Sequence, residues 1–297
     1  MKKNVLLTGG TGFLGSNLTI KLLKSGYTVI LLKRSSSNTE RLKEYIKDIK
    51  FYDIDKINLK TPFKENKIDH VIHTSTNYGR NGESKSEIIN TNLLFPLRLL
   101  ETAVFFNTDT FFNTDTLLYD YLNDYTLSKK QFLEWAKTFS KNIRIINMKL
   151  EHIYGPCDSS NKFVTWLIRE FLKSGNEIKL TGGKQKRDFI YIDDVVDAYI
   201  KVLKNINKIG NFENFDVGTG SFISIREFVI LVKEIFEKRF YIGNKIKLNF
   251  GTLPYRENEF YKIKEDITPL KKLGWKPRYS LKSGLIKTII YELRSMK

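Results

Sequence analysis

The chain has 297 residues, of which 41% are hydrophobic and 28% are charged, with 6 prolines and 18 glycines. This composition is typical of a globular protein and excludes a disordered, collagen-like or disulfide-stapled chain. Lysine and arginine outnumber the acidic residues by 50 to 33, which gives a formal net charge of +17. The lysines stand singly or in pairs, with no block of five like charges, so we expect a basic surface and no nucleic-acid partner.

The cellular compartment follows from the cysteine content and from the apolar segments. The single cysteine, Cys157, cannot form an internal disulfide, which fits a reducing compartment. The apolar stretch near the N-terminus covers only residues 5–7 and is too short for a signal peptide. No run of about 18 apolar residues occurs in the sequence, so no membrane span is predicted. We therefore expect a cytoplasmic protein with no membrane partner.

Strand-like and helix-like stretches alternate over the first 150 residues. Strands are predicted at 5–7, 28–32, 50–52, 69–73, 111–113 and 143–148, and helices at about 14–24, 39–47, 88–104 and 127–139. This alternation predicts an α/β protein with a Rossmann-type, doubly wound parallel sheet. The rhythm loosens after residue 150, which indicates a smaller C-terminal α/β lobe.

The first predicted loop, TGGTGFLG at residues 8–15, directly follows a strand and opens a helix. Gly9 permits the tight turn, Gly12 lets backbone N–H groups approach a pyrophosphate, and Gly15 lets the helix pack closely on the strand. The pattern in this context predicts a dinucleotide site. The residues of the turn assigned to the cofactor are Gly9, Thr11, Gly12, Phe13, Leu14 and Gly15.

The end of the second predicted strand indicates which dinucleotide binds. An acidic residue about 20 positions past the turn would bind the ribose 2′-OH of NAD. Here Lys33, Arg34 and Ser35 follow the strand instead, and such groups bind a 2′-phosphate through charge-assisted hydrogen bonds. We therefore expect NADPH, with NADH as the alternative; a merely solvated basic loop is the other interpretation. The remaining cofactor residues are expected to be Asp53, as an acceptor for the adenine amino group, with Ile54 and Thr74.

A tyrosine and a lysine stand four residues apart at the start of a predicted helix, as Tyr125 and Lys129. This spacing places both side chains on one helical face. An ammonium group near a phenol stabilises the tyrosinate, so that the phenol becomes a competent proton donor near neutral pH. Such pairs are common, and this one carries weight because it follows five predicted strands of a dinucleotide fold.

The glycine turn, a threonine at the end of the fifth strand and YTLSK at 125–129 together resemble the extended short-chain dehydrogenase/reductases that act on nucleotide sugars. Further stretches that carry the resemblance are EHIYGP at 151–156, RDFIYIDD at 187–194, VGTG at 217–220 and LGWKP at 273–277. It implies that residues 1–150 form the NAD(P)-binding Rossmann domain and that 151–297 form mainly the nucleotide-sugar-binding lobe, with segments partly interleaved. It also implies a homodimer.

The resemblance assigns catalytic roles. Tyr125 acts as acid/base on the sugar oxygen, Lys129 holds the nicotinamide ribose and lowers the pKa of Tyr125, and a threonine hydroxyl polarises the same oxygen. The tandem FFNTDT copies at 105–116 offer two threonines for the last role. We select Thr114 because Thr108 would cut the preceding helix short, although Thr114 stands only 11 residues before Tyr125.

Departures from the family pattern bear on the reaction. Residues 114–116 are Thr-Asp-Thr, without the glutamate of 4,6-dehydratases, so dehydration is not expected. The missing acid after the second strand favours a dissociable NADPH, and therefore reduction of the 4-keto group of a nucleotide-linked deoxy sugar for a surface polysaccharide. An NAD-retaining 4-epimerase is the alternative. A non-enzymatic NADP-binding regulator ranks lower because Tyr125 and Lys129 are both present.

The resemblance also implies where the substrate binds. Arg187 and Arg256 would hold the diphosphate through bidentate contacts. His152 takes a place near the nicotinamide, with a half-buried structural histidine as the alternative. The other residues assigned to the substrate are Thr76, Tyr78, Arg80, Asp115, Thr116, Glu151 and Phe163. The spacing of His70, His73 and His152 does not suit a metal, and none is expected.

Overall fold

The computed structural model describes residues 2–173, 177–241, 246–255 and 263–295. The chain divides into two compact units. The first unit comprises Met1–Leu150, Val196–Val217 and Thr268–Trp275, and the second comprises Glu151–Val195, Gly218–Ile267 and Lys276–Lys297. The chain thus first passes from one unit to the other after Leu150 and crosses again within a later helix.

Strands and helices alternate through the described residues. The strands are β1 (Asn4–Thr8), β2 (Thr28–Lys33), β3 (Ile49–Asp53), β4 (His70–His73), β5 (Thr110–Thr116), β6 (Arg144–Leu150), β7 (His152–Tyr154), β8 (Glu177–Leu180), β9 (Lys186–Tyr191), β10 (Phe212–Val217), β11 (Phe222–Ser224) and β12 (Lys247–Phe250). The α-helices are α1 (Phe13–Lys24), α2 (Thr61–Glu65), α3 (Lys85–Ile89), α4 (Phe95–Phe105), α5 (Asp124–Thr138), α6 (Phe163–Leu172), α7 (Ile192–Lys204), α8 (Ile225–Ile235), α9 (Thr268–Lys272) and α10 (Leu281–Ser295). Short 3-10 segments lie at Glu40–Asp48 and Ile206–Lys208, and π-helical turns at Asn90–Leu94 and Phe236–Phe240.

The first unit contains a seven-stranded parallel sheet in the order β10-β6-β5-β4-β1-β2-β3. The strand order reverses at β1, which pairs with β2 on one side and β4 on the other, and ligands of such sheets bind at the carboxyl ends of the strands near this point. Val5, Leu6 and Leu7 of β1 are fully buried, as expected for a strand covered on both faces. The predicted Rossmann-type α/β fold is confirmed.

Two predicted boundaries differ from the structure near the candidate site. β5 continues past the predicted end at residue 113, because Thr114, Asp115 and Thr116 pair with consecutive residues of β6. Thr114 therefore lies within β5, whereas the predicted strand ended one residue before it. α5 begins at Asp124 because Asn123 forms a capping box with Thr126. Tyr125 consequently lies in the first turn of α5.

The helical stretch before β5 also starts earlier than predicted, at Lys85. By length and composition alone, Lys85–Phe105 is apolar enough to cross a membrane. However, Leu99, Leu100 and Ala103 of this stretch are fully buried in the core cluster of the first unit.

The second unit is built on two small sheets. β9 pairs antiparallel with β11 and parallel with β7, and β8 pairs parallel with β12. Phe189 stacks on Phe228, with ring centroids 4.1 Å apart, and Phe163 packs beside both rings. The buried Asp188 carboxylate accepts hydrogen bonds from the Thr219 and Gly220 backbone nitrogens at 2.6 and 2.8 Å, which fixes the loop after β10.

Candidate active site

The glycine-rich turn joins β1 to α1 and fits a dinucleotide pyrophosphate. Gly9 has a φ of +69°, and a Cβ there would lie 2.7 Å from the Ser75 backbone nitrogen. A Cβ on Gly15 would fall on the Gly9 carbonyl oxygen. Gly12 is the N-cap of α1 and supplies no side-chain acceptor, and the first turn of this helix contains no acidic residue. The first N–H groups of α1 are therefore available to a phosphate.

We expect Gly15→Ala to destabilise the first unit by about 2 kcal/mol, because the new methyl group collides with backbone rather than with a movable side chain. The matched control is Gly210→Ala, where a Cβ would meet no atom within 4 Å. Thermal unfolding of both variants checks the prediction. It is contradicted if Gly15→Ala unfolds at the same temperature as Gly210→Ala.

Lys33 and Ser35, at and just after the end of β2, contact acidic residues at and just after the end of β3. Lys33 Nζ lies 2.5 Å from Asp53 Oδ1. The Ser35 backbone nitrogen and hydroxyl donate to the Asp55 carboxylate at 2.8 and 2.5 Å. The Ile54 backbone nitrogen donates to the Lys33 carbonyl oxygen at 2.8 Å. A cavity of about 580 Å³ lies here, with Lys33, Ser35 and Asp53 in its wall. Asp55 is a member of this group that sequence reasoning missed.

Three polar residues after β4 connect the glycine turn to α5. The Thr74 hydroxyl donates to the Thr8 carbonyl oxygen at 2.7 Å, beside Gly9. The Thr76 hydroxyl donates to Asn92 Oδ1 at 3.2 Å, and Asn92 Nδ2 donates to the Ser128 hydroxyl at 3.0 Å. Asn92 is fully buried and was not predicted. Its only sequence signal was a polar residue within an apolar helical stretch.

Tyr125 and Lys129 extend from the first turns of α5 toward the carboxyl end of the sheet. The ring of the half-buried Tyr125 lies 4.8 Å from the ring of Tyr78, and the Arg80 guanidinium lies 5.2 Å from the same Tyr78 ring. Lys129 is almost fully buried, and its Nζ donates to Asn113 Oδ1 at 3.5 Å. The structure thus brings together Tyr78, Arg80 and Tyr125, and it places Lys129 one helical turn after Tyr125 on α5.

The electrostatic surroundings hold Tyr125 in its protonated form. Burial raises the pKa of Tyr125 well above its usual range, Tyr78 and Asp115 raise it further, and Thr116 and Arg80 lower it. Burial also lowers the pKa of Lys129 to about 8, against the attraction of Asp115. Near pH 7 the phenol is therefore protonated and Lys129 is largely charged.

The two threonine hydroxyls at the end of β5 have different partners. Thr114 Oγ1 lies 2.8 Å from the hydroxyl of the buried Tyr199 on α7. The Thr116 side chain lies near Tyr125 and, together with Arg80, lowers the pKa of the phenol against the larger effect of burial. Thr108 precedes β5, whereas ligands of parallel sheets bind at the carboxyl ends of strands. Tyr199 was not predicted, since its position in an apolar helix gave no sign of a polar partner.

Neighbouring residues of β5 alternate between the two faces of the sheet. Phe112, like Thr114, faces Tyr199, with ring centroids 6.3 Å apart. Asp115 faces α5, where its carboxylate lies 2.9 Å from Lys130 Nζ. The Asp115 side chain is fully buried, and Asn147 Nδ2 on β6 lies 3.3 Å from the same oxygen. The predicted substrate residue Asp115 is therefore committed to partners within the first unit.

The second unit contains the remaining predicted substrate residues. The buried Glu151 lies 2.9 Å from His152 Nδ1, and the His152 ring lies 5.9 Å from Phe189. Arg187 is largely buried, and its Nη1 donates to the Lys186 carbonyl oxygen at 2.8 Å. Arg256 lies outside the described residues.

A cavity of about 660 Å³ lies elsewhere in the second unit. Phe189, Phe222 and Tyr279 contribute aromatic walls and Thr219 a hydroxyl, and none of the predicted substrate residues that the structure describes lines it. In the described ranges, no three His, Cys, Asp or Glu side chains gather as metal ligands. The sequence gave no indication of this cavity, because its walls come from three distant segments of the chain.

A parallel sheet with a glycine turn after β1 and a Tyr–Lys pair on α5 defines a nicotinamide-dependent oxidoreductase of the extended short-chain dehydrogenase/reductase class. The chain belongs to the NAD dependent epimerase/dehydratase family, whose sequence profile matches residues 5–218. The predicted family is confirmed.

Individual relatives span the whole chain. A CDP-abequose synthase of Salmonella muenchen is 35% identical over 97% of this chain and 98% of its own length. A UDP-glucuronate 4-epimerase of Thermodesulfobacterium geofontis is 28% identical over 96% of this chain and 94% of its own. The crystal structure of Thermotoga maritima UDP-glucose 4-epimerase with UDP-glucose has a TM-score of 0.85 at 23% identity, covering 99% of this chain and 100% of that one. The structural similarity supports the fold.

Proposed function

We propose that the protein reduces the 4-keto group of a nucleotide-linked deoxy sugar with NADPH, in the biosynthesis of a surface polysaccharide. The observation that carries the proposal is the protonated Tyr125 beside the end of β5. This strand end lacks the glutamate of the dehydratases. The chain is also similar, over 97% of its length, to a CDP-abequose synthase. A CDP-linked 4-keto deoxyhexose, whose reduction gives CDP-abequose, is therefore the first substrate to test.

The residues of the first unit account for the proton that this reduction needs. Bound NADPH supplies the hydride that is added to C4 of the sugar. Tyr125 gives its phenolic proton to the ketone oxygen, so that the ketone becomes a hydroxyl group. The Lys129 ammonium stabilises the tyrosinate that remains. Thr116 donates a hydrogen bond at the same place, and solvent returns the proton to Tyr125 after each turnover.

The cofactor preference depends on the loop after β2. Lys33 is already paired with Asp53, whereas no side-chain partner of the Arg34 guanidinium is found among the described residues. We therefore assign the 2′-phosphate of NADPH to Arg34, with a bidentate contact. A 2′-phosphate that also uses Ser35 must displace Asp55.

A titration of the purified protein with NADPH and NADH, followed by nucleotide fluorescence, tests the cofactor. We expect NADPH to bind at least about tenfold more tightly, a margin of about 1.4 kcal/mol. Arg34→Gln should remove most of this preference, whereas the matched control Lys64→Gln, on the exposed surface of α2, should leave it intact. Equal affinities in the unmodified protein would contradict the assignment.

An NAD-retaining 4-epimerase is the second candidate. The observation that favours it is that Lys33 is paired with Asp53 and Ser35 is hydrogen-bonded to Asp55. These contacts leave fewer free donors for a 2′-phosphate. The nucleotide released when the purified protein is denatured distinguishes the candidates. Retained NAD supports the epimerase, and no retained nucleotide supports the reductase.

The catalytic hydroxyl can be identified by removing each threonine in turn. We expect Thr116→Val to lower the turnover number about a hundredfold, because it removes the hydroxyl that lies near Tyr125. Thr114→Val is the matched control and should cost less than tenfold, since its hydroxyl is bonded to Tyr199. The opposite ranking would identify Thr114, which sequence reasoning selected, as the residue that supplies the catalytic hydroxyl.

We further propose how the substrate and a second subunit bind. Arg187 is assigned to the diphosphate of the nucleotide sugar, through guanidinium contacts. Ile89, Leu94 and Trp135 are exposed apolar residues of the α3–α5 region, and a homodimer would bury such side chains. The enzyme is assigned to the cytoplasm, with no membrane or nucleic-acid partner.

A further inference from the structure

Three asparagines lie side by side across the sheet of the first unit. Asn113 on β5 is in register with Asn147 on β6, which is in register with Asn214 on β10. Asn113 Nδ2 donates to Asn147 Oδ1 at 2.8 Å, and Asn147 Nδ2 donates to Asn214 Oδ1 at 2.8 Å. We call these three residues the asparagine ladder. Its amides all point in the same direction along the chain of hydrogen bonds.

The ladder fixes which end of the Asn113 amide faces α5. Asn113 and Asn147 are fully buried, and buried amides of this kind need hydrogen-bond partners. Because Asn113 Nδ2 is committed to Asn147, the carbonyl oxygen of the amide is the atom left for Lys129. Asn147 cannot reverse without facing its own carbonyl oxygen toward the Asp115 carboxylate, which offers only acceptors.

The geometry points to a positioning role. We propose that the asparagine ladder holds the Asn113 carbonyl oxygen toward Lys129 and thereby stabilises the ammonium form of this buried lysine. The contacts are independent of the reaction, but the value of the ammonium to catalysis rests on the proposed function. Asn113 touches Lys129 rather than substrate, so it is a positioning residue.

The charged groups around Lys129 make such an acceptor useful. Asp115 on β5 attracts the ammonium, whereas Lys130 on α5 repels it. His73 on β4 is the remaining neighbour that carries an ionisable ring, and burial and the Lys129 charge hold the pKa of His73 well below its usual range. Tyr125 is protonated. A neutral carbonyl oxygen therefore adds to the one attractive charge, Asp115, without placing another carboxylate in the core.

The test measures the protonation of Lys129 directly in the cofactor-free protein. The ε-carbons of lysine are labelled with ¹³C, the Lys129 resonance is assigned by its loss in Lys129→Met, and its shift is followed against pH. We expect Asn113→Leu to lower the titration midpoint of Lys129 by about one pH unit, because an acceptor of the ammonium is lost. Asn147→Leu should lower it by a smaller amount, because the Asn113 amide remains but loses its anchor.

The matched control is Thr110→Val, a nearly isosteric change on the same strand. Thr110 is fully buried, and its hydroxyl has no hydrogen-bond partner among the described residues. This variant should leave the Lys129 midpoint unchanged. A folded Asn113→Leu protein with an unchanged midpoint overturns the proposal. If Asn113→Leu does not fold, the midpoint of Asn147→Leu decides in the same way.

A second readout separates this inference from the proposed function. In the reductase assay, the basic limb of the pH profile of kcat should move to lower pH in Asn147→Leu, in parallel with the Lys129 midpoint. A shifted midpoint in a protein that reduces no 4-keto sugar supports the ladder and contradicts the proposed function. A shifted kcat profile with an unshifted Lys129 midpoint contradicts the ladder alone.

Discussion

Tyr125→Phe is expected to lower the turnover number for NADPH oxidation about a thousandfold, with little change in NADPH affinity. The substitution removes only the phenolic hydroxyl, so the ring keeps its packing against Tyr78. General acid catalysis by a positioned side chain contributes about 10²- to 10⁴-fold, and the lost proton donor should remove most of that factor. Residual turnover would draw its proton from water.

The control for this variant is Tyr121→Phe, at an exposed tyrosine close by in the chain. It should turn over the substrate at the rate of the unmodified protein. Stopped-flow measurement of NADPH oxidation with the CDP-linked 4-keto sugar gives the rate of both variants. An undiminished rate in Tyr125→Phe would remove Tyr125 as the proton donor and, with it, the proposed mechanism.

The protonation state of Tyr125 also bears on the direction of the reaction. A reductase needs a proton donor at the start of the cycle, and burial keeps this phenol protonated near pH 7. An oxidation would need the tyrosinate, which the same burial disfavours. Thr116 and Arg80 lower the pKa of the phenol and oppose this effect in part. The resting site therefore holds the proton that the proposed reduction uses.

Local patterns in the sequence predict those features of the candidate site that lie within one stretch of chain. Gly9 has a positive φ, and a Cβ on Gly12 or Gly15 would approach the Gly9 carbonyl oxygen closely; these constraints are visible in the sequence as three glycines. The Tyr125–Lys129 pair is likewise set by helical spacing. The alternation of strands and helices predicted the sheet, because apolar residues repeat at one spacing in buried strands and at another in helices.

Contacts between segments that are distant in the sequence cannot be predicted from such local patterns. The hydroxyl of Thr114 faces Tyr199, 85 residues later, and this pairing follows from which face of β5 each residue occupies. The length of β5 was misjudged because Asp115 has low strand propensity, yet it pairs with β6 and is bonded to Lys130. The pairing of Lys33 with Asp53 arises only when β3 lies beside β2.

Lys129→Met is expected to stabilise the cofactor-free protein while abolishing reduction. Burial lowers the pKa of Lys129 from 10.5 to about 8, and this difference corresponds to about 3 kcal/mol of lost folding free energy below pH 8. Methionine has a similar length and no charge. It leaves the Asn113 carbonyl oxygen unpaired, which costs about 1 kcal/mol. We therefore expect a net gain of about 2 kcal/mol in the free energy of unfolding at pH 7.

The pH dependence of this gain identifies its cause. Between pH 8 and 10.5 the unfolded chain still binds the lysine proton while the folded protein has released it, so the stability of the unmodified protein rises with pH in this window. The advantage of Lys129→Met should therefore be full below pH 8 and disappear by about pH 10.5. Urea unfolding at several pH values gives both quantities.

The neighbouring lysine provides a control of opposite sign. Lys130 Nζ lies 2.9 Å from the fully buried Asp115 carboxylate, so Lys130→Met leaves a buried charge without its partner and should destabilise the protein. Adjacent residues of one helix thus differ because Lys130 neutralises a charge that is already buried, whereas Lys129 brings its own charge into the core. If Lys129→Met proves as destabilising as Lys130→Met, the ammonium of Lys129 is better solvated by Asn113 and Asp115 than its burial indicates. If Lys129→Met is stabilising, as we expect, the protein keeps a lysine that lowers its stability because catalysis by Tyr125 requires the ammonium group.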